Sequence, residues 1–437
     1  MVDLAALRSR LSETTTLRAI GRVTGVSGLL VRVAVPGARL GDVLHIRRRT
    51  DTLAAEVVGF TATEVLALPL GELSGVGLDD EVESTGAALS VPVGEGLLGR
   101  VLDGLGRPLD QRPLPPGLQV LPIERPPPAA LGRPRIREPL ATGVRVLDGL
   151  LTVGVGQRIG LFAGSGVGKS SLLGALARGT AADAVVVALV GERGREVGEF
   201  LEHSLGAAGL ARATVVVATS DAPPVERLHA AHVATTIAED LRDSGKRVLL
   251  LVDSLTRVAR AQREIGLSLG EPPARRGYPP SVFALLPRLV ERSGLSERGA
   301  ITAVYTVLVE GSDMDEPIAD EVRGLLDGHV ILSRNLAERG IYPAVDVPAS
   351  ISRVFDAVVT SEHAAAARKL RAALGLYAQR RDLVALGAYV KGSDPKLDAT
   401  LALLPDLERF LAQDNSDITP FEGSFAALRS LAQRLPG

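Results

Sequence analysis

Residues 158–177 read RIGLFAGSGVGKSSLLGALA, and this stretch decides the fold. An apolar run, RIGLFA, leads into a glycine-rich turn, and SSLLGALA, with apolar residues at helical spacing, leads out of it. Strand, glycine loop and helix in that order are the setting of a phosphate-binding loop, here Ala163-Gly164-Ser165-Gly166-Val167-Gly168-Lys169-Ser170. Glycines let successive backbone N–H groups turn inward on a phosphate, and the following helix adds its positive end. In that arrangement Lys169 reaches the β- and γ-phosphates of a nucleotide and the Ser170 hydroxyl ligates Mg²⁺, so ATP and Mg²⁺ are the expected ligands. Gly164, Ser165, Gly166, Val167, Gly168 and Ser171 complete the expected nucleotide cradle. Ala163 stands where the usual pattern has its first glycine, and its methyl group is small enough to fit. A plain glycine turn between strand and helix is the other reading, but it leaves the Gly-Lys-Ser tail without a purpose.

Outward from this loop, the runs AVVVALVG, ATVVVAT, RVLLLVDS and AITAVYTVL are apolar and largely β-branched on both faces. Strands covered on both sides of a parallel sheet look like this. Amphipathic stretches such as VERLHAAHVATTIAEDLRDSG separate them, which gives a βαβ alternation and an α/β core. Asp253 closes RVLLLVDS, so it lands at the carboxyl end of its strand, where ligands of such sheets bind. It is the expected partner of Mg²⁺, with a helix N-cap as the alternative. Glu192, in VGERGREV, follows another buried strand, with Arg193 beside it. Hydrolysis needs a carboxylate to orient and polarise water. The residue pattern alone leaves that role open against a solvated charge cluster.

The chain has 437 residues, more than one core usually serves. Residues 1–17 form an N-terminal arm in this reading, with Leu4, Leu7 and Leu11 on one stripe. Residues 18–88 carry short β runs punctuated by glycine, the pattern of a small β-barrel. Residues 89–350 form the nucleotide-binding domain, entered through a proline-rich stretch from Pro108 to Pro139 that packs as an ordered connection. Residues 351–437 are strongly helical. The fold expected is therefore α/β: a RecA-like P-loop core with a parallel sheet, an N-terminal β-barrel and a C-terminal helical domain.

A formal net charge of -2, with aromatics at 3% and no Trp, argues against a nucleic-acid partner. The absence of cysteine excludes disulfides and cysteine-ligated metals. Neither a signal peptide nor a run of about 18 apolar residues is evident, so no membrane span is expected.

Several longer stretches carry a resemblance. They are GRVLDGLGRPLD (99–110), LLLVDSLTR (249–257), GEPPARRGYPPSVFALLPRLVERSG (270–294), DEPIADEVRGLLDGHVILSR (315–334) and IYPAVDVPASISRV (341–354), beside the phosphate loop and VGERGREV. Together they resemble the hexameric ATPases of type III protein export, relatives of the catalytic subunit of rotary ATP synthases. GSGVGKS looks more flagellar, whereas the segments 260–294 and 308–329 look more like the injectisome form, which is favoured. The resemblance implies that Glu192 activates water and that Arg353 is an arginine finger reaching the neighbouring subunit's nucleotide. It also implies that Tyr342 stacks on adenine, with Phe410 as a second lid over the base. The loop around Arg275, Arg276 and Tyr278 would face a central pore.

A chain with both Glu192 and Arg353 could build six equivalent interfaces, so a homohexamer is expected. The implied partners are a stator-like regulator, a central stalk protein, chaperone–substrate complexes and a membrane-embedded export gate, met at the cytoplasmic face of the inner membrane. The rival readings are an ATP synthase catalytic-type subunit, a Rho-like RNA translocase and a non-catalytic nucleotide-binding scaffold.

Overall fold

The computed structural model describes residues 20–309 and 313–436. The leucine stripe at Leu4, Leu7 and Leu11 and residues 310–312 fall outside the described residues. The chain divides into two compact units.

The first unit holds a closed barrel of six strands: β1 (Ile20–Ser27), β2 (Leu30–Ala34), β3 (Asp42–Arg47), β4 (Thr52–Phe60), β5 (Val65–Pro69) and β6 (Glu81–Ala88), in the order β1-β2-β5-β4-β3-β6. Alternation dictates it. Runs such as LVRVA and DVLHIR turn every second side chain inward, and Val31, Val33, Leu44, Ile46, Ala55 and Val82 fill the interior. Gly21 allows the closure at one tight point, because a β-carbon there would lie 2.0 Å from the Ala34 carbonyl oxygen.

The second unit begins with β7 (Ser90–Val93), β8 (Arg100–Asp103) and β9 (Gln119–Pro122). Next come β10 (Pro139–Leu140), β11 (Val153–Gly154), β12 (Arg158–Ala163), β13 (Ala184–Glu192) and β14 (Ala213–Thr219). The remaining strands are β15 (Arg247–Asp253), β16 (Gly294–Leu295), β17 (Ala300–Leu308), β18 (Gly328–Ile331) and β19 (Ile351–Ser352). The main sheet runs β19-β18-β12-β17-β15-β13-β14-β8. From β18 to β8 every pairing is parallel; only β19 and the short β16 run antiparallel. Each of the five apolar runs read as strands is one. The edge strand β8 was not: four residues broken by DGLG give too little periodicity. It is held by Arg100, which donates to both oxygens of Asp110.

The proline-rich stretch is ordered, as expected. β9 pairs with β7, and Arg133 donates to the Pro128 and Glu291 carbonyl oxygens. The later helices are Ser361–Ala385, capped by Thr360, Pro395–Leu411, capped by Asp394, and Phe421–Gln433. Leu370, Leu374, Leu403, Leu407 and Leu428 share one core with Leu147, Leu150 and the sheet residues Ile159 and Leu161. These helices therefore belong to the same compact unit as the sheet.

Candidate functional site

β12 delivers the chain into the phosphate loop at Ala163, and the helix Lys169–Gly179 takes it away. Gly166 (φ 75°) and Gly168 (φ 87°) adopt the left-handed backbone that only glycine takes without strain. Val167 is buried and pins the loop to the core, while Ser165, Gly166 and Ser170 stay open to solvent.

Three strand tips converge here because all three strands run parallel. β15 sets Asp253 beside Leu189 of β13, three residues before Glu192, and β12 joins through β17. Lys169 Nζ donates to Asp253 Oδ1 and, at 3.3 Å, to Glu192 Oε1. Thr306 on β17 donates its hydroxyl to the same Asp253 oxygen at 2.7 Å. Asp253 is therefore not a helix N-cap; its carboxylate belongs to the site. Burial holds the Glu192 carboxyl above the ordinary carboxylate range. Lys169 and Arg257 pull against that shift, and a hydrogen bond with Glu196 adds to it.

Lys169, Glu192, Glu196 and Arg257 line a cavity of about 660 Å³ with Gly164, Ser165, Gly166, Ser170 and Ser171, and the buried Asp253 joins them through Lys169. Arg193 lies on its rim, largely exposed, with Glu196 3.6 Å away. Sequence reasoning missed three further arginines on the wall, Arg257, Arg260 and Arg334. Arg257 stands four residues after Asp253 on the helix Leu255–Ser268, one turn on, and that spacing was the available signal. Its stem lies over Gly191, where a β-carbon would meet it at 3.2 Å. Thr306 also carried a signal, as a hydroxyl in an otherwise apolar buried run.

A second cavity, also about 660 Å³, opens on the other side of the loop between Gly168, Ser171 and Tyr342. A β-carbon on Gly168 would sit 3.1 Å from the Tyr342 ring, so ring and loop are in contact, with Tyr342 41% exposed. Phe410 is not in this cavity, and its expected place over the base is corrected. It is 4% exposed, and its ring packs on Gly149, where a β-carbon would lie 2.9 Å away. The helix Pro395–Leu411 turns Phe410 inward and leaves Arg409, Ala412 and Gln413 to border the cavity.

Arg353 is exposed and lines neither cavity; one guanidinium nitrogen lies 3.4 Å from the Arg323 carbonyl oxygen. In the loop expected to face a pore, Arg275 and Arg276 are exposed but Tyr278 is buried, beneath Arg263 at 5.4 Å.

The chain is 51% identical to the flagellum-specific ATP synthase of Bacillus subtilis over 96% of both chains, and 50% identical to the type 3 secretion system ATPase of Xanthomonas euvesicatoria over 97% of both. The chain belongs to the type III secretion and flagellar ATPase family. Three family models match this ATPase in turn: the ATP synthase alpha/beta family β-barrel domain over residues 23–86, its nucleotide-binding domain over 143–352, and the T3SS EscN ATPase C-terminal domain over 359–430. Its structure matches the assembled ATPase EscN of the enteropathogenic E. coli type III secretion system. The TM-score is 0.89 at 44% identity, over 94% of this chain and all of that one. EscN solved with its central stalk EscO matches at 0.88. The enzyme is thus a P-loop ATPase that binds and hydrolyses ATP. Among the described residues no helix is long and apolar enough to cross a membrane.

Proposed function

We propose that this ATPase is the motor of type III protein export. It releases chaperones from secretion substrates and unfolds them, as a homohexameric ring at the cytoplasmic face of the inner membrane. The observation that carries the reading is the meeting of Glu192 and the buried Asp253 on Lys169, whose side chain, with Glu192, lines one glycine-lined cavity. A cluster of one ammonium and two carboxylates is what phosphoryl transfer to water needs: charge stabilisation on one side and a base on the other.

In this mechanism the backbone N–H groups from Gly164 to Ser170 cradle the phosphates. Lys169 leaves its carboxylate partners for the β- and γ-phosphate oxygens. Glu192, freed from Lys169, accepts a hydrogen bond from the attacking water and orients it in line with the scissile bond. Arg193 sits at the rim, and Arg353, exposed and lining neither cavity of its own chain, serves the nucleotide of the next subunit. Ser170 and Asp253 are hard oxygen donors on the phosphate side, a set that fits Mg²⁺. When bound there, Mg²⁺ neutralises charge on the β- and γ-phosphates. Tyr342 stacks on the adenine.

The relative solved with its central stalk supports a stalk partner for this chain too. A stator-like regulator, chaperone–substrate complexes and the export gate complete the proposed partners. We favour the injectisome over the flagellum on the segments 260–294 and 308–329; flagellar export is the second reading, favoured by the 51% identity to a flagellum-specific relative. Restoration of needle-subunit secretion, but not of flagellin secretion, in strains lacking their own ATPase supports the first, and the reverse result the second.

The test of the site is turnover by Lys169→Ala and Glu192→Gln in the full chain. Both are expected to lose at least about a hundredfold in kcat with unchanged thermal unfolding. Wild-type turnover in Lys169→Ala removes the phosphate-site assignment, and wild-type turnover in Glu192→Gln removes the water-orienting role.

A further inference from the structure

Beside Gly168, Ser171 and Leu172, the base-side cavity is lined by three stretches of chain that are far apart in sequence: Arg145, Tyr342 with Pro343, and residues of the loop 412–417 between the last two helices. One residue ties all three together, through its backbone N–H and its side chain. Gln413 is 9% exposed and makes four hydrogen bonds. Its backbone N–H donates to the Tyr342 carbonyl oxygen at 2.7 Å. Its side-chain Oε1 accepts from the Arg145 N–H at 2.7 Å. Its Nε2 donates to the carbonyl oxygens of Gly143 at 2.8 Å and Asp417 at 2.9 Å. The loop is fastened further by Thr419 N–H to the Gly143 oxygen at 3.1 Å and by Arg145 Nη2 to the Ala412 oxygen at 2.7 Å.

A buried primary amide makes this junction possible because it both accepts and donates twice. An isosteric carboxylate would turn its oxygens on the Gly143 and Asp417 carbonyls, and an apolar chain would leave the Asp417 carbonyl and the Arg145 N–H without this partner and the Gly143 carbonyl with Thr419 N–H alone. Each such loss costs about 1–3 kcal/mol in a buried setting, which singles out glutamine for the place.

We propose that Gln413 is a positioning residue for nucleotide binding: by holding Tyr342 over Gly168 and the loop 412–419 at a fixed height, it sets the affinity for the base without touching the reacting phosphates. The proposal rests on the reading that Tyr342 stacks on the base. It also assigns the final helices a part in nucleotide recognition, through the loop that joins them.

The experiment compares Gln413→Met, which keeps the volume and removes the three side-chain hydrogen bonds that hold the loop while leaving the backbone bond to Tyr342, and Gln413→Asn, which keeps the amide one methylene too short. ATP turnover is measured in the full chain, with inorganic tripolyphosphate, which has no base, as a competitive inhibitor. In both variants KM for ATP is expected to rise about tenfold, the equivalent of one or two buried hydrogen bonds, with kcat largely kept and the tripolyphosphate inhibition constant unchanged. An unchanged KM overturns the proposal. So does a tripolyphosphate constant that rises in step with KM, since that is a loosened fold and not a displaced base site. If one variant is too unstable to assay, the other decides. Tyr342→Ala is measured beside them. If it leaves KM for ATP unchanged, the stacking reading fails by itself. If it raises KM and neither Gln413 variant does, only the role of Gln413 is lost.

Discussion

Glu192 is held between two cations and a second acid, and its ionisation is where that balance can be read. Burial raises its pKa, while Lys169 and Arg257 lower it. In the proposed role, orienting water requires the ionised form, so activity is expected to fall on acidification through the Glu192 pKa, at a higher pH than an exposed carboxylate would set. Arg257→Met removes one of the cations, so the acid limb of the kcat profile should move to higher pH. A limb that stays in place shows that Arg257's charge is not felt at Glu192. Phe410 makes the complementary case. Packed on Gly149 in the core, it should cost about 3–5 kcal/mol of stability as Phe410→Ala. KM for ATP should hardly change, and a KM rise as large as that of Tyr342→Ala would return Phe410 to the base site. The phosphate loop was legible because its meaning is local: strand, glycines, lysine and helix lie within 20 residues. Gln413 was not, because its amide acts on Arg145, 268 residues away, and no local spacing encodes that. Phe410 was misplaced because sequence put it near the right loop but not on the right face of its helix.

At the level of elements, the helix Pro224–Asp243 is fixed by a buried ionic junction. Arg292 donates to both oxygens of Glu239, to the Thr236 hydroxyl and to the Ile123 carbonyl oxygen, and its side chain is 3% exposed. Arg292→Met leaves Glu239 buried without its main partner and should cost about 3–5 kcal/mol, read from denaturant unfolding. Arg292→Met with Glu239→Leu should recover much of the loss, because an apolar pair can replace a buried ion pair. If the double variant is as unstable as the single one, the junction is not an ion pair whose broken half is the problem. The strands of the main sheet were readable from their unbroken apolar runs, whereas this junction was invisible: its members look like ordinary surface charges on amphipathic stretches. β8 was hidden for another reason, since a strand of four residues gains its identity from the neighbour it joins.

At the level of the whole molecule, the separation of Arg353 from its own chain's cavity carries the assembly argument. Lys169→Ala and Arg353→Ala should each be inactive alone. Mixed in equal amounts, they should regain activity at about a quarter of the contacts, those joining an intact phosphate loop to an intact Arg353 in a head-to-tail ring. No recovery after co-assembly rules out an arginine supplied by the neighbour. The ring itself could be inferred from sequence only through the resemblance, because nothing in the residue pattern around Arg353 says that it faces another copy.

The helix Pro395–Leu411 has 17 residues and ends two residues before the glutamine that ties down Tyr342. Such a rod is about 25 Å long, so tilting it by about 10° about its far end would carry the near end about 4 Å. Gly143, Arg145 and Tyr342 would have to travel with it or let go. On the proposed role of Gln413, whatever leans on the outer end of that helix holds a handle on how tightly the nucleotide is gripped, and a grip on the nucleotide is felt as resistance at the handle.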